Sequence, residues 1–122
     1  MRSWTLALLL LAACGGGSRR AESDEHRSQG DALFDRREYV GAIEHYEEAL
    51  RKSPDQPGAL LRLGLCWERL GMTNRAIECY ERLLKAAPKC AEAATARERI
   101  GQIRALEQWD PEKGPTPEVI LD

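Results

Sequence analysis

Aromatic residues are scarce in this chain, at 6% with a single phenylalanine, and histidine is scarcer still, with only His26 and His45. Neither histidine stands four residues from the other or from a cysteine, so the paired spacing of a helical metal site is missing. The cysteines Cys14, Cys66, Cys79 and Cys90 include no CxxC pair, and the last three lie 13 and 11 residues apart. Such spacing fits neither a zinc nor a redox motif. No serine or cysteine stands in a nucleophile motif, and no glycine loop follows a strand-like segment. No metal, no cofactor and no catalytic residue is expected. Basic residues number 18 against 20 acidic ones, for a formal net charge of −2, which excludes a bulk attraction to nucleic acid. No apolar run approaches the roughly 20 residues that a membrane-spanning helix needs.

What the chain does have is periodicity. Its 122 residues suit one domain, and 31% of them are charged, a balance common in soluble helical proteins. Between Pro57 and Pro88, apolar residues recur at helical spacing. Leu60, Leu63, Trp67 and Leu70 make one stripe; Ala76, Ile77, Tyr80, Leu83 and Leu84 make a second. Gly71 separates them and can close a helix in the left-handed region. Two antiparallel helices with a tight turn follow.

This stretch has a copy 34 residues upstream. That offset carries Gly30 to Gly64, Ala42 to Ala76, Ile43 to Ile77, Glu44 to Glu78, Tyr46 to Tyr80, Glu47 to Glu81, Leu50 to Leu84 and Pro54 to Pro88. A fixed period of this size marks a stacked repeat array. The pair resembles tetratricopeptide repeats (TPR), in which a small residue lies midway along the first helix (Gly30, Gly64) and another early in the second (Ala42, Ala76). An aromatic follows one turn later (Tyr46, Tyr80), and a proline ends the unit. The second unit fits the pattern better. The first has His26 and Gln29 where Leu60 and Leu63 sit, as suits a terminal unit with a polar outer face.

The resemblance implies an all-α fold, a right-handed array of helical hairpins. Repeat one is expected over 23–56, repeat two over 57–90 and a capping helix over 91–108. Helix one should start near Ser23 or Asp24 and end around Arg36. Asp55 and Thr73 are the expected N-caps of the two helices of repeat two. Ala94, Arg97, Ile100, Ile103 and Leu106 form the expected inner face of the capping helix. No third repeat follows, because Pro111, Gly114, Pro115 and Pro117 cannot continue a helix. Residues 109–122 read as a disordered tail that ends in a short apolar patch, Val119 to Leu121.

In arrays of this family the first helices line a concave groove. By position the lining is Arg27, Asp31 and Phe34 from unit one, then Leu61, Arg62, Leu65, Glu68 and Arg69 from unit two, with Arg99 from the cap. Apolar residues beside guanidinium groups suit an extended or helical peptide of acidic character. The basic clamp that cochaperone members close on a C-terminal carboxylate is not reproduced, since Asp31 and Arg62 stand where it has asparagines. Cys66 and Cys79 fall on opposite helices of one hairpin, which leaves open a disulfide or two small buried fillers.

The N-terminus is a different material. Met1-Arg2 precedes an apolar run from Trp4 to Ala13, which suits the hydrophobic region of an export signal over 1–13. It ends Leu11-Ala12-Ala13-Cys14, which resembles a bacterial lipobox; the alternative is an ordinary secretory leader that happens to contain a cysteine. The resemblance implies lipidation of Cys14, with residues 14–22 a flexible tether. Gly15 rather than Asp follows Cys14, which in Gram-negative envelopes favours the outer membrane, facing the periplasm. The expected function is a non-enzymatic module that holds a protein or peptide partner at the bacterial envelope. The alternative is a structural protein that pairs with its own copies.

Overall fold

The computed structural model describes residues 15–117. Five helices follow one another among them: α1 (Gly15–Asp35), α2 (Tyr39–Lys52), α3 (Pro57–Arg69), α4 (Thr73–Ala86) and α5 (Ala91–Glu107). The described residues contain no strand. Helix α1 packs on α2, and α3 on α4. Contact between α2 and α3 joins the two hairpins, while α5 closes on α4 and on the flank of α3. The fold is the all-α hairpin array that the 34-residue period implies. Among the described residues no helix is long and apolar enough to cross a membrane. The expected signal peptide, Cys14 and the stretch Glu118–Asp122 lie outside the described residues.

The period works through contact between a bare backbone and an aromatic ring. A Cβ added at Gly30 would stand 2.7 Å from Cε1 of Tyr46, and one added at Gly64 would collide with the ring of Tyr80 in the same way. Both tyrosines are fully buried, as are Ala42 and Ala76. Glycine on one helix therefore lets the tyrosine of its partner lie flat on the backbone, and close packing of the pair follows.

Each hairpin turn also repeats. Arg37 and Gly71, one period apart, adopt positive φ of 63° and 77°. In the first turn the Arg37 N–H donates to Phe34 O and the Glu38 N–H to Leu33 O, both at 2.9 Å. In the second the Gly71 N–H donates to Glu68 O at 2.9 Å and the Met72 N–H to Trp67 O at 2.8 Å. Both are Schellman closures that satisfy the last helical carbonyls. Gly71 carries the role assigned to it. Arg37 carries the same role with a side chain that the left-handed region disfavours.

Several expectations change. Helix α1 begins at Gly15, so the tether expected over 14–22 is helical from that residue on. Ser18 Oγ donates to Glu22 at 3.1 Å and Glu22 pairs with Lys52 of α2 at 3.1 Å. A helix already nucleated by packing extends cheaply through Arg19–Glu22. The N-cap of α3 is Gln56, not Asp55, and that of α4 is Met72, with Thr73 the first helical residue; neither makes a side-chain cap bond. The Gln56 amide is used elsewhere. It donates to Asp24 at 2.7 Å and accepts from the buried Ser23 hydroxyl at 3.1 Å, tying α1 to the loop between hairpins.

Leu70 ends α3 as its C-cap and is exposed. The inner face of α5 is Ala93, Ala96, Arg99, Ile100 and Ile103. Ala94, Arg97 and Leu106, assigned to it from the sequence, point outward. No further helix follows α5 among the described residues, so these positions stay exposed, as suits a cap. Residues 109–117 form a turned loop. The Trp109 indole N–H donates to the carbonyls of Gly114 and Pro115 at 3.3 and 3.2 Å, and the Asp110 carboxylate accepts the Glu112 N–H at 3.0 Å.

Candidate functional site

Helices α1, α3 and α5 stand side by side, and the residues expected in the groove fall on them. Phe34, Leu61, Arg62, Leu65, Arg69, Thr95 and Arg99 surround one concavity of about 370 Å³. A second, of about 340 Å³, adjoins it toward the end of α5 and is lined by Glu68, Arg69, Thr73, Arg99, Ile103, Leu106 and Glu107. Arg27 and Asp31 lie farther along α1 and line neither. Thr73, Thr95, Ile103, Leu106 and Glu107 are new. Thr95 was legible, because the 34-residue offset that carries Arg27 to Leu61 also carries Leu61 to Thr95. Ile103 and Leu106 had been assigned only to packing.

Most of the groove's charge is balanced within the protein. The Tyr46 hydroxyl donates to Asp31 Oδ1 at 2.6 Å, and Arg27 and Arg62 approach the same carboxylate at 3.9 and 3.8 Å. The Arg27 Nε is buried without a hydrogen-bond partner, with Asp24 at 4.0 Å. The Arg62 guanidinium lies over the Phe34 ring, 5.0 Å from its centroid, a favourable placement for a planar cation. Phe34 in turn meets Tyr39 edge-on at 5.5 Å.

In the second unit Glu68 takes the part that Asp31 plays in the first. It accepts the Tyr80 hydroxyl at 2.5 Å and two bonds from Arg99, Nε at 3.0 Å and Nη2 at 2.8 Å. Burial, and next the carboxylate partner, push both tyrosine hydroxyls above their ordinary value. The bond to Glu68 raises Arg99 further above its already high value. Both side chains of this ion pair are nearly buried, at 10% and 11% exposure, so the paired geometry holds α5 onto α3.

The thiols of Cys66 and Cys79 are not poised for chemistry. Cys66, Cys79 and Cys90 are free, with Cys66 buried; the staple left open between Cys66 and Cys79 does not form in this structure. Burial pushes Cys66 up to about 12 and Cys79 up to about 11, so both stay protonated and poorly nucleophilic at neutral pH. His26 and His45, unrelated in sequence, meet across α1 and α2 with their Nδ1 atoms 3.5 Å apart. Among the described residues no three histidine, cysteine or carboxylate groups gather into a metal site.

The family model described as "Tetratricopeptide repeat" matches residues 33–100, more than half of the chain. This chain is a tetratricopeptide repeat protein. Among curated proteins the repeat protein is 29% identical over 65 residues to Hsp70-Hsp90 organizing protein 2 of Arabidopsis thaliana, which covers 53% of this chain and 11% of that one. It is 32% identical over 88 residues to the heat-shock protein cognate (HSC) co-chaperone sgt12 of Aspergillus fumigatus, with 72% and 25% covered. A third likeness, 37% over 52 residues, is to outer dynein arm-docking complex subunit 4 of Danio rerio, with 43% and 11% covered. The chain thus spans between about a tenth and a quarter of these relatives' lengths. Membership in the family makes it a protein–protein interaction module.

Proposed function

We propose that this repeat protein is a non-enzymatic holding module of the bacterial envelope, anchored by lipid on Cys14, that grips a protein partner through the concave face of α1, α3 and α5. The observation that carries the reading is the concavity between Phe34, Leu61, Leu65 and the guanidinium groups of Arg62, Arg69 and Arg99. Apolar floors with charged rims take up peptides that offer apolar anchors and acidic neighbours. Asp31 places a carboxylate on the α1 side of this face, which argues against a clamp for chain-terminal carboxylates. Envelope residence rests on the Leu11-Ala12-Ala13-Cys14 sequence after an apolar leader. Two or more acyl chains hold a protein stably at a membrane.

The test is capture of the native partner from solubilised envelopes by wild type, Leu65→Asp and Arg62→Glu, with helicity followed by circular dichroism. Loss of capture with helicity retained supports the reading, and equal capture by all three contradicts it. Intact-mass measurement of the membrane-extracted chain tests the anchor separately: cleavage before Cys14 with acyl mass supports it, and an uncut leader contradicts it. Exposed Leu70, Met72 and Leu106 favour self-association as the second reading. A monomer in sedimentation of the detergent-free chain at micromolar concentration excludes that one.

A further inference from the structure

The two concavities on the concave face share a wall. Arg69 and Arg99 line both, with Leu61 and Leu65 on one side and Ile103 and Leu106 on the other. Of the three guanidinium groups here, Arg62 stands near Asp31 and over Phe34, and Arg99 is bound at two points by Glu68. Arg69, exposed at the last turn of α3, forms no ion pair within 4.0 Å among the described residues. The groove thus offers two apolar compartments with one unpaired cation on the ridge between them, while Glu107 lines the far compartment and Asp35 shares a neighbouring concavity with Arg69.

That arrangement selects one partner chemistry. We infer that the groove takes an extended peptide segment with two apolar side chains on either side of one acidic residue, the acidic residue meeting Arg69. In an extended chain, alternate side chains point the same way about 6.7 Å apart. Apolar, acidic and apolar residues at alternate positions therefore all face the groove. Leu65 and Leu61 receive the first anchor, Leu106 and Ile103 the second. The inference rests on the groove reading above and deepens it by stating what the ligand looks like; the second compartment belongs to the capping helix, so α5 reads ligand as well as closing the core.

The probe is a fluorescein-labelled synthetic peptide with leucine, glutamate and leucine at alternate positions and serine between them, titrated against the full chain in detergent with anisotropy readout. A second probe replaces the glutamate with glutamine. The glutamate probe should bind about tenfold more tightly than the glutamine probe, the scale of one charge-assisted hydrogen bond. Arg69→Ala should abolish that preference and Arg69→Lys restore part of it. Leu106→Asp, at an exposed position, should weaken both probes. Equal binding of the two probes, a preference unaffected by Arg69→Ala, an unaltered affinity in Leu106→Asp, or no binding of either probe at millimolar concentration each overturns the inference. If native-partner capture is still lost in Leu65→Asp, the groove reading stands while this one falls.

Discussion

Glu68 and Arg99 face each other across the seam between α3 and α5 with two hydrogen bonds of 2.8 and 3.0 Å, and the same carboxylate accepts the Tyr80 hydroxyl. One carboxylate thus joins three helices. Removing one member of a nearly buried ion pair leaves the other without compensation, at a cost of about 3–5 kcal/mol. Arg99→Met is expected to lower unfolding free energy by about 3 kcal/mol, read from urea denaturation. A change below about 1 kcal/mol, the worth of an exposed pair, would show that α5 is held by its apolar face alone.

The glycines sort by what faces them. Gly64→Ala puts a methyl into the Tyr80 ring and should destabilise by about 1–3 kcal/mol, the usual effect of overpacking, with Gly30→Ala similar. Gly101 in α5 has open space where a Cβ would go, so Gly101→Ala should stabilise by up to about 1 kcal/mol through helix propensity. Thermal melts of the three variants check the ranking. Stabilisation at Gly64 would mean the hairpin is looser than drawn.

Arg37 and Gly71 make the same turn with different side chains. Arg37→Gly is expected to stabilise by about 1 kcal/mol, because the left-handed conformation no longer carries a Cβ. Gly71→Ala should lose a similar amount. Urea unfolding of both variants decides it, and equal stabilities for wild type and Arg37→Gly would remove the strain assigned to that turn.

Burial raises the Cys66 thiol to about 12 and Cys79 to about 11, from an ordinary value of 9.0. Above the ordinary value the unfolded chain releases thiol protons that the folded chain keeps, so ∂ΔG/∂pH is negative. Stability is fully present below about pH 8.5 and falls as the pH rises toward 11. The double variant Cys66→Ala/Cys79→Ala should show a shallower fall from pH 8.5 to 10 in urea titrations. An identical slope would place both thiols in water.

The hairpins were legible because the 34-residue offset records a contact. Gly30 and Gly64 must be small where Tyr46 and Tyr80 lie, and spacing alone preserves that constraint. The inner face of α5 was not. Alanines at 93, 94 and 96 make neighbouring stripes equally apolar, and the deciding residue is Arg99, whose partner Glu68 lies in another helix. The N-cap of α3 misled because Gln56, which holds that position, accepts from Ser23 and donates to Asp24 across the fold. In the groove, Phe34, Leu61, Arg62, Leu65, Arg69 and Arg99 were assigned by register. Which of their charges were already balanced depends on distances between helices.

Holding by the concave face is the claim on which the account turns, and site-specific photo-crosslinking in intact envelopes tests it most directly. A benzophenone side chain at Leu61, in the groove, should yield a partner adduct, while the same group at Glu44, exposed on α2, should yield none. Adducts at Glu44 with none at Leu61 would contradict the account.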